Sequence, residues 1–513
     1  MAGVTTVTAP LRGRLGVDVG AALNLVGVLV KYFSLAFVLP AALAVGYSEP
    51  VWPYLFAGAL TAALGVGLGL VTQGKERVGP REGFLVVALT WLVVAAVVAL
   101  PYVLSDDEQL SRPVDAYFEA MSGMTTTGSS VLVDIPGVDR SLLMWRQFSQ
   151  WLGGMGIIVL ALAVLPRLRV GGRQLMESEL PGPEFEALTA SIRDTARRLW
   201  LLYVALTAVL VACLTALGAT GVDEEMGFYE AVAHAFTTLP TGGFGTETRS
   251  IEPFAPASQW VLALFMVLAG ANFALLYRAF VRGRPGALGR DQEFRLYAGL
   301  LLLGSAVLAV LVWDAGLQDG EAAIRHGVFQ AVSTMTTTGY ASTDFNEWLV
   351  VAPAAAMLVV ALMFPGGSAG STAGSIKVVR HLLIGKVLRR ELDQTVHPEY
   401  VAPVRINRLA VDERTIRAVI AFVLLYVGIF VTGAVLLLVD AHRVDLDLSP
   451  FAAIAASATT LGNVGPAFGF AGPMGSFEPF SDVSTGIMTA LMWIGRLEIV
   501  PVVVLLSRAY WRA

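Results

Sequence analysis

AMSGMTTTGS at residues 120–129 has three ungapped counterparts in the same chain: AFTTLPTGGF at 235–244, AVSTMTTTGY at 331–340 and SATTLGNVGP at 457–466. They align on Gly128, Gly243, Gly339 and Gly465. Eight residues before that glycine stand Ala120, Ala235, Ala331 and Ser457, all small. Four before it stand Met124, Leu239, Met335 and Leu461, all large and apolar, and two before it Thr126, Thr241, Thr337 and Asn463, all polar. A single copy would be ordinary loop composition. Four copies mark an internal repeat, and a repeat organises a fold.

Working outward, each segment lies between two long apolar blocks. The clearest is GFLVVALTWLVVAAVVALPYVL at 83–104, which carries no charge. About 20 apolar residues cross a bilayer core as a helix. Similar blocks recur near 21–46, 52–72, 143–165, 198–218, 258–281, 296–313, 349–364, 415–439 and 484–507, so about ten transmembrane helices are expected. Composition agrees: of 513 residues, 56% are hydrophobic and 15% charged, with a mean hydropathy of +0.68. A soluble chain of this length needs a more charged surface. The expected fold is an all-α polytopic membrane protein. It divides into two N-terminal helices (1–80) and four helix–pore loop–helix repeats at 81–170, 195–284, 292–390 and 412–513.

The first block is too long for a cleaved signal peptide and is expected to remain as a helix. Cys213 is the sole cysteine, which rules out an intramolecular disulfide. The net charge of −5 says little; its distribution says more. Most Lys and Arg fall in alternate loops: Arg12 and Arg14; Lys75, Arg77 and Arg81; Arg167 to Arg198; Arg278 to Arg295; Lys377 to Arg417; Arg508 and Arg512. The intervening loops are acidic, as at Asp106, Asp107 and Glu108, or Asp223, Glu224 and Glu225. The positive-inside rule then puts both termini in the cytoplasm, consistent with an even number of spans.

The repeated segments offer only about a dozen helix-compatible residues before the glycine, too few to cross. Yet the blocks on either side must cross in opposite senses. Each segment therefore enters from outside as a half-helix and returns as extended backbone. Irregular backbone inside a membrane survives only where protein or water satisfies its polar groups. Four such loops around a pseudo-fourfold axis would line one pore. Carbonyls aimed at the axis replace a cation's hydration shell, and glycine permits the backbone angles required. Each half-helix also turns its partly negative C-terminal end inward. The expected ion-binding set is Thr126, Thr127 and Gly128; Thr241, Gly242 and Gly243; Thr337, Thr338 and Gly339; and Asn463, Val464 and Gly465.

In these motifs the chain resembles the Trk/Ktr/HKT superfamily of potassium transporters, and within it the TrkH type, from about position 20 to the end. The resemblance implies K+ uptake across the cell (inner) membrane through one pore per subunit. It also implies a homodimer and a cytoplasmic nucleotide-binding regulatory subunit of the TrkA kind. All four filter glycines are present, whereas plant relatives that favour Na+ have serine in the first repeat, where this chain has Gly128. K+ is thus the expected ion. No nucleotide-binding fingerprint or metal cluster stands in the sequence, so no cofactor bound by the chain itself is expected. Its expected surroundings are lipid and protein, without nucleic acid.

Two further stretches match. In MFPGGSAGSTAGSIKVVRH, from Met363 to His381, Pro365, Gly366, Gly367, Gly370 and Gly374 interrupt a helix that otherwise runs to about Arg389. The resemblance implies an intramembrane gate loop beneath the filter. The plainer alternative is a kink. GRLEIVP at 495–501 places Arg496 inside the last apolar block, where a charge is costly and faces a cavity or partner. The resemblance implies a position at the pore, repelling cations or pairing with the gate loop; a simple Arg496–Glu498 pair is the alternative.

Two other classes remain. Gly366-Gly367-Ser368-Ala369-Gly370 fits the nucleophile elbow G-x-S-x-G, but it interrupts a membrane helix and the nearest histidine is His381. An H+- or Na+-coupled secondary transporter also uses broken helices at mid-membrane. Against it, few ionisable residues stand deep in the apolar blocks: Lys31, Arg496 and Glu498.

Overall fold

Apolar blocks with no water to bond their backbones must become helices, and a computed structural model of the chain is helical almost throughout. It describes residues 17–73, 79–163, 192–399 and 402–512. The basic residues Arg12, Arg14, Lys75 and Arg77, and the loop over 164–191, lie outside the described residues. Among the described residues the exception to the all-α expectation is a small antiparallel hairpin, Arg405–Ile406 with Leu409–Ala410. Asn407 and Arg408 form its turn with φ of 47° and 72°, the handedness a two-residue hairpin turn requires.

Val19–Tyr47 and Trp52–Val71 form the N-terminal pair. They cross closely because Gly27 meets Gly65; a Cβ on Gly65 would lie 2.5 Å from the Lys31 backbone nitrogen. This pair docks on the second helix of repeat 1, Arg140–Ala163. The Tyr54 and Ser141 hydroxyls lie 2.8 Å apart, and Phe37 stacks on Trp145 at 4.6 Å. The Glu49 carboxylate accepts the Arg140 and Ser141 N–H groups at 2.9 and 2.8 Å, capping that helix.

The four repeats follow. Their first helices are Arg81–Leu104, Ala196–Ala219, Gln292–Asp314 and Glu413–Arg443. Their pore helices are Pro113–Met124, Phe228–Thr238, Gly320–Met335 and Pro450–Gly462. Among the described residues six helices are long and apolar enough to cross a membrane, and two bent pairs raise this to eight. Arg140–Ala163, and the helices flanking the glycine loop, occupy the remaining two expected positions.

The second helices of repeats 2, 3 and 4 depart from the simple spans read from hydropathy. The block at 258–281 is Pro256–Ala269 plus Phe273–Val281, bent by 103° at Gly270–Asn272. The Asn272 side chain caps the new helix by accepting the Leu275 N–H at 3.0 Å. The block at 484–507 is Asp482–Arg496 plus Val500–Leu506, bent by 114°. There Glu498 and Ile499 both have positive φ, 56° and 62°, ahead of Pro501, which cannot continue the preceding hydrogen bonds. In repeat 3, Pro353–Leu362 is only ten residues long, and Val378–Val396 runs on past Arg389 after the loop. The breaks lie against the ends of pore helices: Gly270 beside Thr336, Gly374 beside Gly462 and Asn463, and Gly495 beside Leu461.

Candidate functional site

Each pore helix ends in the same way. The N–H groups of Thr127, Gly242, Thr338 and Val464 donate back to Ser122, Thr237, Ser333 and Thr459, at 2.8, 2.8, 2.9 and 2.9 Å. This six-residue closure requires left-handed backbone. Thr126, Thr241, Thr337 and Asn463 supply it, with φ of 52°, 56°, 57° and 54°. Two residues later Gly128, Gly243, Gly339 and Gly465 again have positive φ: 87°, 77°, 85° and 122°. A backbone alternating in φ sign turns successive carbonyls to one side. The four polar positions aligned in the sequence are thus the positions where the backbone turns left-handed.

The glycines also order the ring. A Cβ on Gly128 would collide with the Gly242 carbonyl oxygen, one on Gly243 with Thr338 O, and one on Gly339 with Val464 O. A Cβ on Gly465 would lie 3.0 Å from Thr127 O. Each repeat therefore abuts the next, and the fourth abuts the first: the ring is closed. Gly128, Gly243 and Gly339 are partly exposed while the residues on both sides of each are buried, so the glycines open on the lumen.

The ring is not chemically fourfold. In repeats 1 and 3 the hydroxyls pair along the strand, Thr125 with Thr127 at 2.7 Å and Thr336 with Thr338 at 2.8 Å. In repeat 2 Gln150 braces the strand: its amide donates to Gly242 O at 2.8 Å and accepts the Phe244 N–H at 3.2 Å. In repeat 4 the Asn463 amide donates to the Thr127 hydroxyl and the Met492 carbonyl, both at 3.0 Å.

Sequence reading missed a buried ion pair behind repeat 1. Glu119 and Arg146, 0% and 2% exposed, are salt-bridged. Glu119 also accepts from the Ser130 hydroxyl and the Val131 N–H at 2.9 and 3.0 Å. Arg146 donates to Gly245 O at 3.1 Å and lies 3.5 Å over the Phe244 ring. The pair thus grips the C-terminal ends of two strands. A signal for it existed, since Glu119 stands nine residues before Gly128 inside a helix with a strongly apolar face.

The glycine loop lies against the ends of the pore helices, where the strands begin. The Gly374 N–H donates to the Thr337 hydroxyl at 2.7 Å, and the Thr372 hydroxyl to Leu239 O at 2.9 Å. Its first half is anchored to the break in repeat 2: Ser368 N–H to Gly270 O at 2.8 Å, and the Asn272 amide to Ala369 O at 2.7 Å. Gly366 and Gly370 have φ of 68° and 72°. Gly367 packs against the Gly270 carbonyl. The loop has a closed neck, with the Ile376 N–H donating to Phe364 O at 3.2 Å and a Cβ on Gly366 falling 2.5 Å from Gly374 O. It is an Ω-like excursion rather than a kink.

Arg496 reaches this loop. Its Nη1 donates to the Thr372 carbonyl at 2.9 Å, beside Lys377 Nζ on the Ala373 carbonyl at 2.6 Å. Glu498 is bound instead to Arg380 at 2.5 Å, so the Arg496–Glu498 pair is not formed. Arg496 Nε and Nη2 have no protein partner among the described residues, although the side chain is only 3% exposed.

The chain as a whole is matched by known proteins. The TrkH profile, described as a cation transport protein, covers residues 55–512. The chain belongs to the TrkH family. It is 36% identical over 495 residues to the Trk system potassium uptake protein TrkH of Salmonella typhimurium, covering 95% of this chain and 98% of that one. It is 32% identical to the Trk system potassium uptake protein TrkG of Escherichia coli, covering 96% and 98%. The crystal structure of the potassium transporter TrkH from Vibrio parahaemolyticus superposes with a TM-score of 0.84 at 31% identity, over 97% of this chain and all of the other. As a TrkH-family member the chain is a multi-pass membrane transport protein and not an enzyme, which disposes of the nucleophile-elbow reading of Ser368.

Proposed function

We propose that the chain takes up K+ across the cell (inner) membrane through the ring formed by Thr126–Gly128, Thr241–Gly243, Thr337–Gly339 and Asn463–Gly465. The observation that carries this is the closed order of the ring: four glycines, each facing the carbonyl of the next repeat, with backbone alternation that aligns carbonyls. K+ is the substrate, and no further cofactor is part of the proposal. The relatives described above are Trk system potassium uptake proteins, which favours K+ over Na+.

The glycine loop is the gate, and Arg496 is its latch. Its hydrogen bonds to Thr337 and Leu239 put backbone where an ion leaving the ring would pass, and Arg496 adds a like charge there. The "Trk system" wording of the relatives supports a membrane subunit in a larger assembly. We assign to that assembly a second copy of the chain and a cytoplasmic nucleotide-binding subunit, with both termini cytoplasmic. Flux in proteoliposomes tests the reading. K+ should move down its gradient in preference to Na+, with or without a proton gradient. K+ movement that requires a proton or Na+ gradient would replace the channel with a coupled carrier.

A further inference from the structure

Beyond the glycines, the residue that follows each of them repeats a pattern in geometry that its chemistry hides. Ser129 Oγ donates to Gly465 O of repeat 4 at 2.7 Å. Phe244 lies 3.5 Å beneath the Arg146 guanidinium of repeat 1. The Tyr340 hydroxyl is hydrogen-bonded to the Thr237 hydroxyl of repeat 2 and donates to His234 O at 3.1 Å. The Pro466 ring packs on Gly339 of repeat 3, its Cδ 3.1 Å from where a Cβ there would be. Serine, phenylalanine, tyrosine and proline share no chemistry. All four reach the preceding repeat, in the direction opposite to the glycine–carbonyl contacts.

We infer that these residues are clasps closing the four seams of the ring, and that Tyr340, through Thr237, is a positioning residue that sets the ring's width for K+. The inference rests on the filter reading above. A smaller cation draws the surrounding carbonyls inward. The strand of repeat 3 can follow only if the Tyr340 phenol leaves the pore helix of repeat 2. Both ends of this clasp are fixed: Tyr340 is 1% exposed and Thr237 0%, and the Tyr340 carbonyl accepts from Ser333 of its own pore helix at 2.7 Å. An unmade hydrogen bond in such a site has no water to replace it. The clasp therefore opposes contraction around Na+ more than it opposes occupancy by K+.

The test is the K+/Na+ permeability ratio, from reversal potentials of the full chain in proteoliposomes at matched folded amounts. Variants are Tyr340→Phe, Thr237→Val, their combination, Ser129→Ala and, as a control on the filter itself, Gly339→Ser. Tyr340→Phe keeps the ring and removes only the hydroxyl. Each single seam variant is expected to lower the ratio by about two- to tenfold, the range one net hydrogen bond supports, while K+ still passes. The double variant should fall no further than the larger single loss. A folded Tyr340→Phe protein with the parental ratio, or one that loses only thermal stability, overturns the clasp if Gly339→Ser does shift the ratio. Additive losses in the double variant also overturn it. If Gly339→Ser leaves the ratio unchanged as well, the filter reading itself falls. Should Tyr340→Phe not fold, Ser129→Ala opens the seam between repeats 1 and 4, and a parental ratio there overturns the clasp.

Discussion

Arg496→Ala is expected to raise K+ flux by releasing the glycine loop. In the structure the guanidinium makes one protein hydrogen bond, to the Thr372 carbonyl at 2.9 Å, and Glu498 is already neutralised by Arg380. Alanine thus leaves no orphaned counter-charge. What it removes is a single charge-assisted bond, worth roughly 1.5–3 kcal/mol. At about 1.4 kcal/mol per tenfold, the loop's released population rises by about one to two decades while the latched state still dominates. Loss of the positive charge acts in the same direction by removing repulsion of a cation in the vestibule. Arg496→Lys keeps the charge and can still donate, but without the guanidinium's reach, so its flux should lie between the two. The assay is tracer K+ uptake into proteoliposomes, with folded yield and thermal stability measured alongside. Equal flux from parent, alanine and lysine proteins at matched folded amounts would refute the latch.

Three further expectations follow from distances already given. Gly128→Ser and Gly339→Ser each drive a Cβ into a neighbouring carbonyl, an overpacking cost of about 1–3 kcal/mol, and should reduce K+/Na+ discrimination in reversal potentials; parental values for both would remove the carbonyl filter. Deleting 367–373 removes the obstruction, and because Gly366 and Gly374 already adjoin at the loop's neck the chain can reseal; flux should rise with selectivity retained, and a folded deletion protein no more permeable than the parent would make the loop structural. Glu119→Gln leaves Arg146 buried without its anion and should cost about 3–5 kcal/mol of stability, read as a lowered midpoint of thermal unfolding in detergent; an unchanged midpoint would show that the pair is not a brace.

The repeat was legible because it is written in residue types that backbone geometry enforces. A left-handed position admits glycine readily and Thr or Asn with strain, so Thr126, Thr241, Thr337 and Asn463 betray themselves by spacing. The glycine loop was legible for the same reason. The bends at Gly270–Asn272 and Glu498–Ile499 were not: hydropathy averages over a window, and each bent pair is apolar enough overall to pass as a single span. Gly270, Asn272 and Pro501 were the available signals, weak because each is tolerated in straight membrane helices. The Glu119–Arg146 pair joins residues 27 apart on different helices, and nothing local in the sequence predicts which buried acid finds which base. The seam residues were hidden more deeply, since their shared direction emerges only once the ring is closed.

That ring is made by one chain, which changes how it responds to substitution. In a pore of four identical subunits every change is made four times. An effect of about 0.5 kcal/mol per strand sums to about 2 kcal/mol if the strands are independent, or roughly thirtyfold in a rate or ratio. Here the same change at Thr127, Gly242, Thr338 or Val464 is made once, for about twofold. On the filter reading proposed above, ion preference is open to change in small steps, one quadrant at a time; Gln150 behind repeat 2 and Asn463 in repeat 4 already make two quadrants chemically unlike the others.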